Sequence, residues 1–381
     1  MFGFNGFEAV PVVVLVGERL SRPAFVRIAQ IAPLAESVPP KFYGGTERVV
    51  AWLVDELVEL GHEVTLFASG DSRTRGKLHP VWPRALRLGR ATANPMAAYA
   101  AMLEAIARHA TNFDVVHAHV DWTHLPMLCR LSVPFLTTVH GRLDLPGLAD
   151  VVQQFPSATF VSISNNQRLP LGGARWCGTV YHGLPAGLFR PSYLPGSYLA
   201  FLGRLTPEKG PEVAIRIAHA AGMPLRIAAK VPRGERGYFK EELEPQIDGT
   251  QIRLVGELND EAKAPFLAGA AALLFPIDWP EPFGLVMIEA MACGTPIIAF
   301  RSGSVPEVVD ECVTGFIVDG EEEAIHAIKR LGRLDRRRVR ARFEQRFTAE
   351  RMAQEYVCHY RSVMEAEFRS AMAVAPGFRS E

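Results

Sequence analysis

Two segments of the chain share one plan, and that repetition restricts the architecture more than any other feature. Residues 26–31 form a short apolar run, followed by a loop ending in Tyr43-Gly44-Gly45. Residues 46–60 then carry Val49, Leu53, Leu57 and Leu60 on one stripe, the spacing of an amphipathic helix. Gly61 stands where a helix stop is expected, and residues 63–68 read as the next strand. The second segment opens on a strand at 198–202 and a loop at 203–210. Pro211 starts a helix there, since a missing N–H costs nothing at a first helical position. Gly222 ends it, and residues 225–229 form the next strand.

Six further apolar runs fit the same scheme. Residues 113–118, 133–139 and 159–164 belong to the first half, and 252–255, 272–275 and 296–299 to the second. Each is bounded by Gly, Pro or polar residues, as parallel strands covered on both faces are. The expectation is an α/β chain of two Rossmann-like, doubly wound parallel-sheet domains. A length of 381 residues agrees, since it exceeds what one core usually holds. The boundary is expected within 187–197, which holds Pro191, Pro195 and Gly196, and residues 341–368 read as helical.

Composition excludes several classes. Lys plus Arg and Asp plus Glu are 41 each, so bulk electrostatics gives no hold on nucleic acid. The five cysteines are scattered without a C-x-x-C, which disfavours a disulfide framework or zinc ribbon and fits a reducing compartment. No run approaches the ~18–20 apolar residues of a membrane span. Residues 1–25 read as an N-terminal extension. Their apolar stretch at 10–16 is short, contains Pro11 and follows no basic residue, so it is not read as a secretory signal.

Ligands of such domains bind beyond the carboxyl ends of the strands. After the first strand of the second half, GRLTPEKG places Arg204 and Lys209 before a helix start. Two cations and free helix N–H groups suit an anion such as pyrophosphate, although a solvated loop would look the same. Further on, Pro280-Glu281-Pro282-Phe283-Gly284-Leu285 precedes a helix that Gly294 ends. Glu289 lies inside that helix among apolar neighbours, so its carboxylate needs a partner. Two ribose hydroxyls would serve, and so would a core arginine. Tyr43-Gly44-Gly45-Thr46 is either a ligand-approaching turn or a plain tight one. His140-Gly141 follows a strand end. His117, His119, Asp121 and His124 are denser, and His117 and His119 project to one side, so metal binding is a rival reading. The run Arg333, Arg336, Arg337, Arg338, Arg340, Arg342 and Arg346 is either a solvated helical face or a membrane-surface strip.

GRLTPEKG, PEPFGLVMIEAMACGTPIIA, SVPEVV and TGFIV together resemble the retaining glycosyltransferases of family 4, which have the GT-B fold. The stretch from Ile31 to Ala68 resembles that family's opening. The resemblance implies two domains facing across a cleft. One is an acceptor domain at 26–190 completed by a C-terminal helix at about 347–370, the other a nucleotide-sugar domain at 197–346. It implies that Arg204 and Lys209 bind the donor diphosphate. Glu281 would contact the sugar hydroxyls. Phe283, Gly284 and Leu285 would approach the sugar and phosphates, and Glu289 would hold the ribose. Gly44 and Gly45 would close over the donor, and His140 would lie near the reacting sugar. His140 and Glu281 are thus the catalytic candidates.

The implied reaction moves a sugar from a UDP- or GDP-sugar to a carbohydrate or lipid-linked acceptor, in polysaccharide or glycoconjugate biosynthesis. Two fixed cations at the diphosphate make a metal dispensable, so neither metal nor other cofactor is expected. A cytoplasmic location follows, with peripheral contact at the inner membrane face as an option. Two rivals stand beside this reading: a metal-dependent hydrolase built on His117, His119 and Asp121, and a non-catalytic nucleotide-sugar binder.

Overall fold

The computed structural model describes residues 25–41, 44–87 and 94–374. Tyr43 and the extension before residue 25 lie outside the described residues. Seven parallel strands make the first sheet: β1 (Arg27–Ile31), β2 (Glu63–Ser69), β3 (Lys77–Trp82), β4 (Val115–Ala118), β5 (Phe135–Thr138), β6 (Thr159–Ser162) and β7 (Arg175–Thr179). Six make the second: β8 (Tyr198–Arg204), β9 (Leu225–Lys230), β10 (Ile252–Gly256), β11 (Ala270–Phe275), β12 (Ile297–Phe300) and β13 (Gly315–Val318). Their orders are β3-β2-β1-β4-β5-β6-β7 and β10-β9-β8-β11-β12-β13. Each order reverses once, between β1 and β4 and between β8 and β11. These are the topological switch points at which such sheets take ligands.

The central strands are almost wholly apolar because helices cover both faces. Ile28 of β1, for instance, lies between Val64 and Val115 and is fully buried. The covering helices are α1 (Gly45–Glu59) and α2 (Pro95–His109) in the first half, and α3 (Pro211–Ala221), α4 (Asp260–Ala268), α5 (Leu285–Ala292), α6 (Glu321–Lys329) and α7 (Arg336–Arg346) in the second. A long α8 (Ala349–Val374) follows.

Three strands escape the sequence reading: β3, β7 and β13. All stand at sheet edges. β3 and β7 are half-exposed, and β3 contains Pro80, which an edge strand tolerates because one side needs no N–H. The helical reading of 341–368 also needs correcting, because the chain breaks between α7 and α8. There Leu184 donates its N–H to the Phe347 carbonyl (2.9 Å) and accepts from the Ala349 N–H (2.8 Å). The straightened link carries α8 back to the first sheet. Tyr356 and Tyr360 of α8 are buried there against His117, Gln30 and Thr138.

The arginine run is not one continuous face: Arg333, Arg337 and Arg338 are exposed, and the others are not. Arg336 and Arg340 are buried and serve as internal staples. Arg336 donates to the carbonyls of Ser192, Ala270 and Ala268 and to the Thr295 hydroxyl, at 2.7–2.8 Å. Arg340 donates to the carbonyls of Ala292, Phe189 and Ala186. Arg342 and Arg346 both pair with Asp310. Charge run alone could not reveal this, since the carbonyls that need these donors are remote in sequence. Arg336→Ala is expected to cost about 3 kcal/mol or more, because several buried acceptors lose a charged donor at once. Exposed Arg337, which stacks on Tyr193, is the control: Arg337→Ala should change stability by less than about 0.5 kcal/mol. Equal urea midpoints for the two variants would contradict the staple.

Candidate active site

A cleft of about 520 Å³ opens between the carboxyl ends of the two sheets. Its wall includes Gly44, Gly45, His140, Arg204, Lys209, Glu281, Phe283, Gly284, Leu285 and Glu289. Every donor-binding and catalytic candidate implied by the resemblance and named above therefore borders one space, although they come from segments spread over most of the chain.

Arg204 ends β8, and Lys209 closes the short turn Pro207–Lys209 before α3. Lys209 Nζ is bound to the Glu281 carboxylate and sits 4.4 Å above the Trp279 ring centroid. Trp279 Nε1 also donates to Glu281 Oε2, at 2.9 Å. Glu281 is thus held by two donors, and its side chain is only 11% exposed. The loop carrying it is clamped from behind. Ser304 donates its N–H to the Glu281 carbonyl and its hydroxyl to the Phe283 carbonyl, both at 2.9 Å. Gly303 lies so close that a Cβ there would sit 2.3 Å from the Glu281 nitrogen, and its φ is +53°. Only glycine fits that position.

Gly284 caps α5 with φ +79° and no side-chain cap, which leaves the first amides of the helix turned toward the cleft end. Across the gap, a Cβ on Gly45 would lie 3.4 Å from Leu285 Cδ1. The Gly44-Gly45 turn of the first domain therefore rests directly on the second.

Glu289 is 3% exposed and has an ion-pair partner, but it is not an arginine. Lys263 of α4 meets its Oε1 at 2.6 Å and Asp260 at 3.1 Å. Asp260 in turn binds Arg48 of α1. A chain of alternating charge thus runs from the first-domain helix behind Gly45 to Glu289. Lys263 had no signal in the sequence, since a lysine on a helix normally faces water.

The histidines lie beneath the cleft. The His117 and His119 rings lie tilted by 42° with centroids 4.0 Å apart, but their nitrogens are engaged elsewhere. His117 meets Tyr360 and Thr138, and His119 meets Gln30 and His140, all at 2.8–2.9 Å. His124 bonds Thr137 at 2.7 Å. Among the described residues no group of three His, Cys, Asp or Glu side chains could hold a metal ion. The geometry does not favour the hydrolase reading. Burial pushes His140 down to about 3 and His117 and His119 well below the ordinary histidine value, so the cluster is neutral.

Comparison with known proteins accounts for both halves of this arrangement. A family model described as glycosyl transferases group 1 matches residues 191–346, and one described as glycosyltransferase family 4 matches residues 43–171. Between them the two models mark a chain of the family 4 glycosyltransferase type.

Among curated family members, D-inositol 3-phosphate glycosyltransferases of Mycobacterium tuberculosis and Mycobacterium bovis are 33% identical over 167 residues. That match covers 40% of this chain and 33% of theirs, so the chain spans about a third of the length of the curated relatives it matches. Among solved structures, AviGT4, a glycosyltransferase involved in avilamycin A biosynthesis, superposes with a TM-score of 0.68 at 26% identity, over 89% of this chain and 98% of that one. Sucrose-phosphate synthase from Thermosynechococcus elongatus gives a TM-score of 0.72 at 21% identity, over 90% and 100%. HepE from Anabaena, solved with UDP and glucose, gives 0.68 at 20% identity, over 88% and 100%. These establish the GT-B fold.

Two residues of this cleft region went unnoticed in the sequence. His182 stacks on His140 at 5.2 Å and meets Phe283 edge-on at 4.9 Å, bridging the domains. Its signal was available, since His182-Gly183 repeats the His140-Gly141 pair after a strand. Glu307 lies in the SVPEVV motif and accepts from the backbone N–H groups of Asn165 and Asn166 at 2.7 Å and from the Tyr181 hydroxyl at 3.0 Å. It latches the first residues of helix Asn165–Arg168 to the second domain.

Proposed function

We propose that this chain transfers a sugar from a nucleoside-diphosphate sugar to an acceptor hydroxyl, retaining the anomeric configuration and requiring no divalent metal. The observation that carries this reading is the pair Arg204 and Lys209, set at one strand end beside the α5 N-terminus and opposite Gly45. Breaking the bond between sugar carbon and phosphate oxygen leaves negative charge on a diphosphate. Fixed cations and helix amides stabilise that charge without reorganising. Glu281 aims Lys209 and presents carboxylate oxygen to sugar hydroxyls. Glu289 keeps a second oxygen, since Lys263 meets only Oε1, and that oxygen suits a ribose.

Retention needs either two inversions or attack from the leaving-group side. Two first-domain carboxylates, Glu47 and Asp121, border the cleft, and Asp121 directly follows the switch-point strand β4. A double displacement through Asp121 is therefore the second reading. Front-side attack, with the leaving phosphate taking the acceptor proton, is favoured here because Glu281 and the cations gather on the leaving-group side. Asp121→Asn should then retain turnover within about tenfold, whereas loss of a nucleophile costs far more. A glycosylated Asp121 trapped by mass spectrometry would overturn front-side attack.

The acceptor is expected to be a carbohydrate or lipid-linked hydroxyl, and the location cytoplasmic. Among the described residues no helix is long and apolar enough to cross a membrane. Peripheral contact through the arginine run would rest on Arg333, Arg337 and Arg338, which are exposed. The direct test is a thermal-shift screen against UDP-, GDP- and ADP-sugars with and without EDTA. A donor at a hundred times its Kd stabilises the fold by about 2.7 kcal/mol. A rise that survives EDTA is expected for one base, and no rise with any donor at millimolar concentration would refute the donor site.

A further inference from the structure

Seven side chains form an unbranched hydrogen-bonded chain from the C-terminal helix to the cleft. Tyr356 Oη lies 2.9 Å from Thr138 Oγ1, which lies 2.8 Å from His117 Nε2. His117 Nδ1 lies 2.8 Å from Tyr360 Oη. The Gln30 amide spans the next gap, 2.9 Å from Tyr360 Oη on one side and 2.8 Å from His119 Nε2 on the other. His119 Nδ1 finally lies 2.9 Å from His140 Nε2, and His140 borders the cleft.

Only two arrangements of hydrogen in such a chain leave no interior hydrogen unspent. A neutral imidazole carries one N–H and one bare nitrogen, a hydroxyl carries one hydrogen, and an amide donates on one side and accepts on the other. Each interior member must donate to one neighbour and accept from the other, so all the bonds point the same way. Burial keeps the three histidines of the chain neutral.

The two directions leave different defects. With hydrogens directed toward the helix, the Gln30 amide nitrogen faces Tyr360, and the Tyr356 O–H is the unspent donor. Tyr356 is 1% exposed, and among the described residues its hydroxyl meets only Thr138. His140 Nδ1 is then a bare nitrogen that also lacks a partner. With hydrogens directed toward the cleft, Gln30 has its oxygen and nitrogen exchanged, a choice that the heavy-atom positions do not decide. Tyr356 then donates to Thr138, Thr138 to His117, His117 to Tyr360, Tyr360 to Gln30, Gln30 to His119 and His119 to His140. One unspent hydrogen remains, on His140 Nδ1, which is buried and has no partner among the described residues. The second direction has one defect where the first has two.

We infer that the wire from Tyr356 through Gln30 to His119 is ordered toward the cleft and fixes His140 as its Nδ1–H tautomer. Gln30, His119 and Tyr360 are positioning residues, acting through His140. The Nδ1–H is buried in the ligand-free fold and reaches an oxygen of the sugar donor only if the ring or its cover shifts, and that consequence rests on the function proposed above. The tautomer does not.

The test is long-range proton–nitrogen correlation of the full chain labelled with ¹⁵N-histidine, ligand-free at pH 7.5, with His140 assigned by His140→Gln. The Nδ1–H pattern is expected. An Nε2–H pattern, or a charged ring, overturns the inference. Gln30→Glu supplies an amide-shaped group that only accepts, so both Tyr360 and His119 must donate to it, and His140 should switch to Nε2–H. Should that variant not fold, Tyr360→Phe cuts the wire and should give a mixture of tautomers. A His140 pattern unchanged in the folded variant counts against the wire. Because these spectra need neither substrate nor turnover, failure of the wire and failure of the transfer reading are separately visible.

Discussion

Arg204→Ala and Lys209→Ala are each expected to lower turnover on a nucleotide-sugar donor by about a hundredfold or more, near 3 kcal/mol of lost transition-state stabilisation. The two losses should differ in kind. Arg204 ends a strand, and its loss removes charge from the diphosphate position. Lys209 is also bound to Glu281 and rests on Trp279, so its loss releases a carboxylate held by only one other donor. Lys209→Ala should therefore raise the donor KM as well as lower kcat. It should also be non-additive with Glu281→Gln by about 0.5–3 kcal/mol, as for residues in one network. Steady-state kinetics of the two single variants and the Lys209→Ala/Glu281→Gln double variant check this. The thermal midpoint of each controls for misfolding. Donor affinity unchanged in both single variants would remove the phosphate assignment.

The sequence was informative where a single local rule decides the structure. The helix after Gly45 could be placed because its apolar stripe repeats at one period, and the strand β8 because it is a buried run that a glycine ends. The cleft residues were readable because strand ends and helix starts are marked by Gly and Pro. What escaped depends on partners remote in the chain. Gly303 looks like any loop glycine until Glu281 is placed against it. Lys263 looks like a surface lysine until Glu289 faces it. Arg336 and Arg340 look like part of a basic face until the carbonyls of residues 186–192, 268 and 270 converge on them. The edge strands β3 and β7 escaped for a different reason: their half-exposed residues do not form the continuous apolar run that betrays a central strand.

The buried histidines set a second large effect, on stability in mild acid. His117, His119 and His182 are held well below the ordinary histidine value, and His124 and His140 are pushed down to about 3, in every case chiefly by burial. In the unfolded chain each titrates near 6.5. Above pH 6.5 both states are neutral, and the fold keeps its full stability. Below pH 6.5 the unfolded chain takes up protons that the native state refuses. Stability therefore falls with falling pH across the window from 6.5 to about 3. At pH 5.5 each such histidine has removed about 1.4 kcal/mol. Together the cluster and His124 cost about 7 kcal/mol there, which lies within the 5–15 kcal/mol of a typical fold. Glu47 and Asp121 oppose the trend, because burial raises them and the native state binds their protons more tightly. That compensation begins in the lower part of the same window, as the pH falls into the carboxylate range. Urea unfolding at pH 7.5, 6.5 and 5.5 should show a loss of about 2 kcal/mol over the first step and about 5 kcal/mol over the second. A stability that is flat to pH 5 would mean that the native cluster accepts protons after all. The hydrogen order that depends on its neutrality would fail with it.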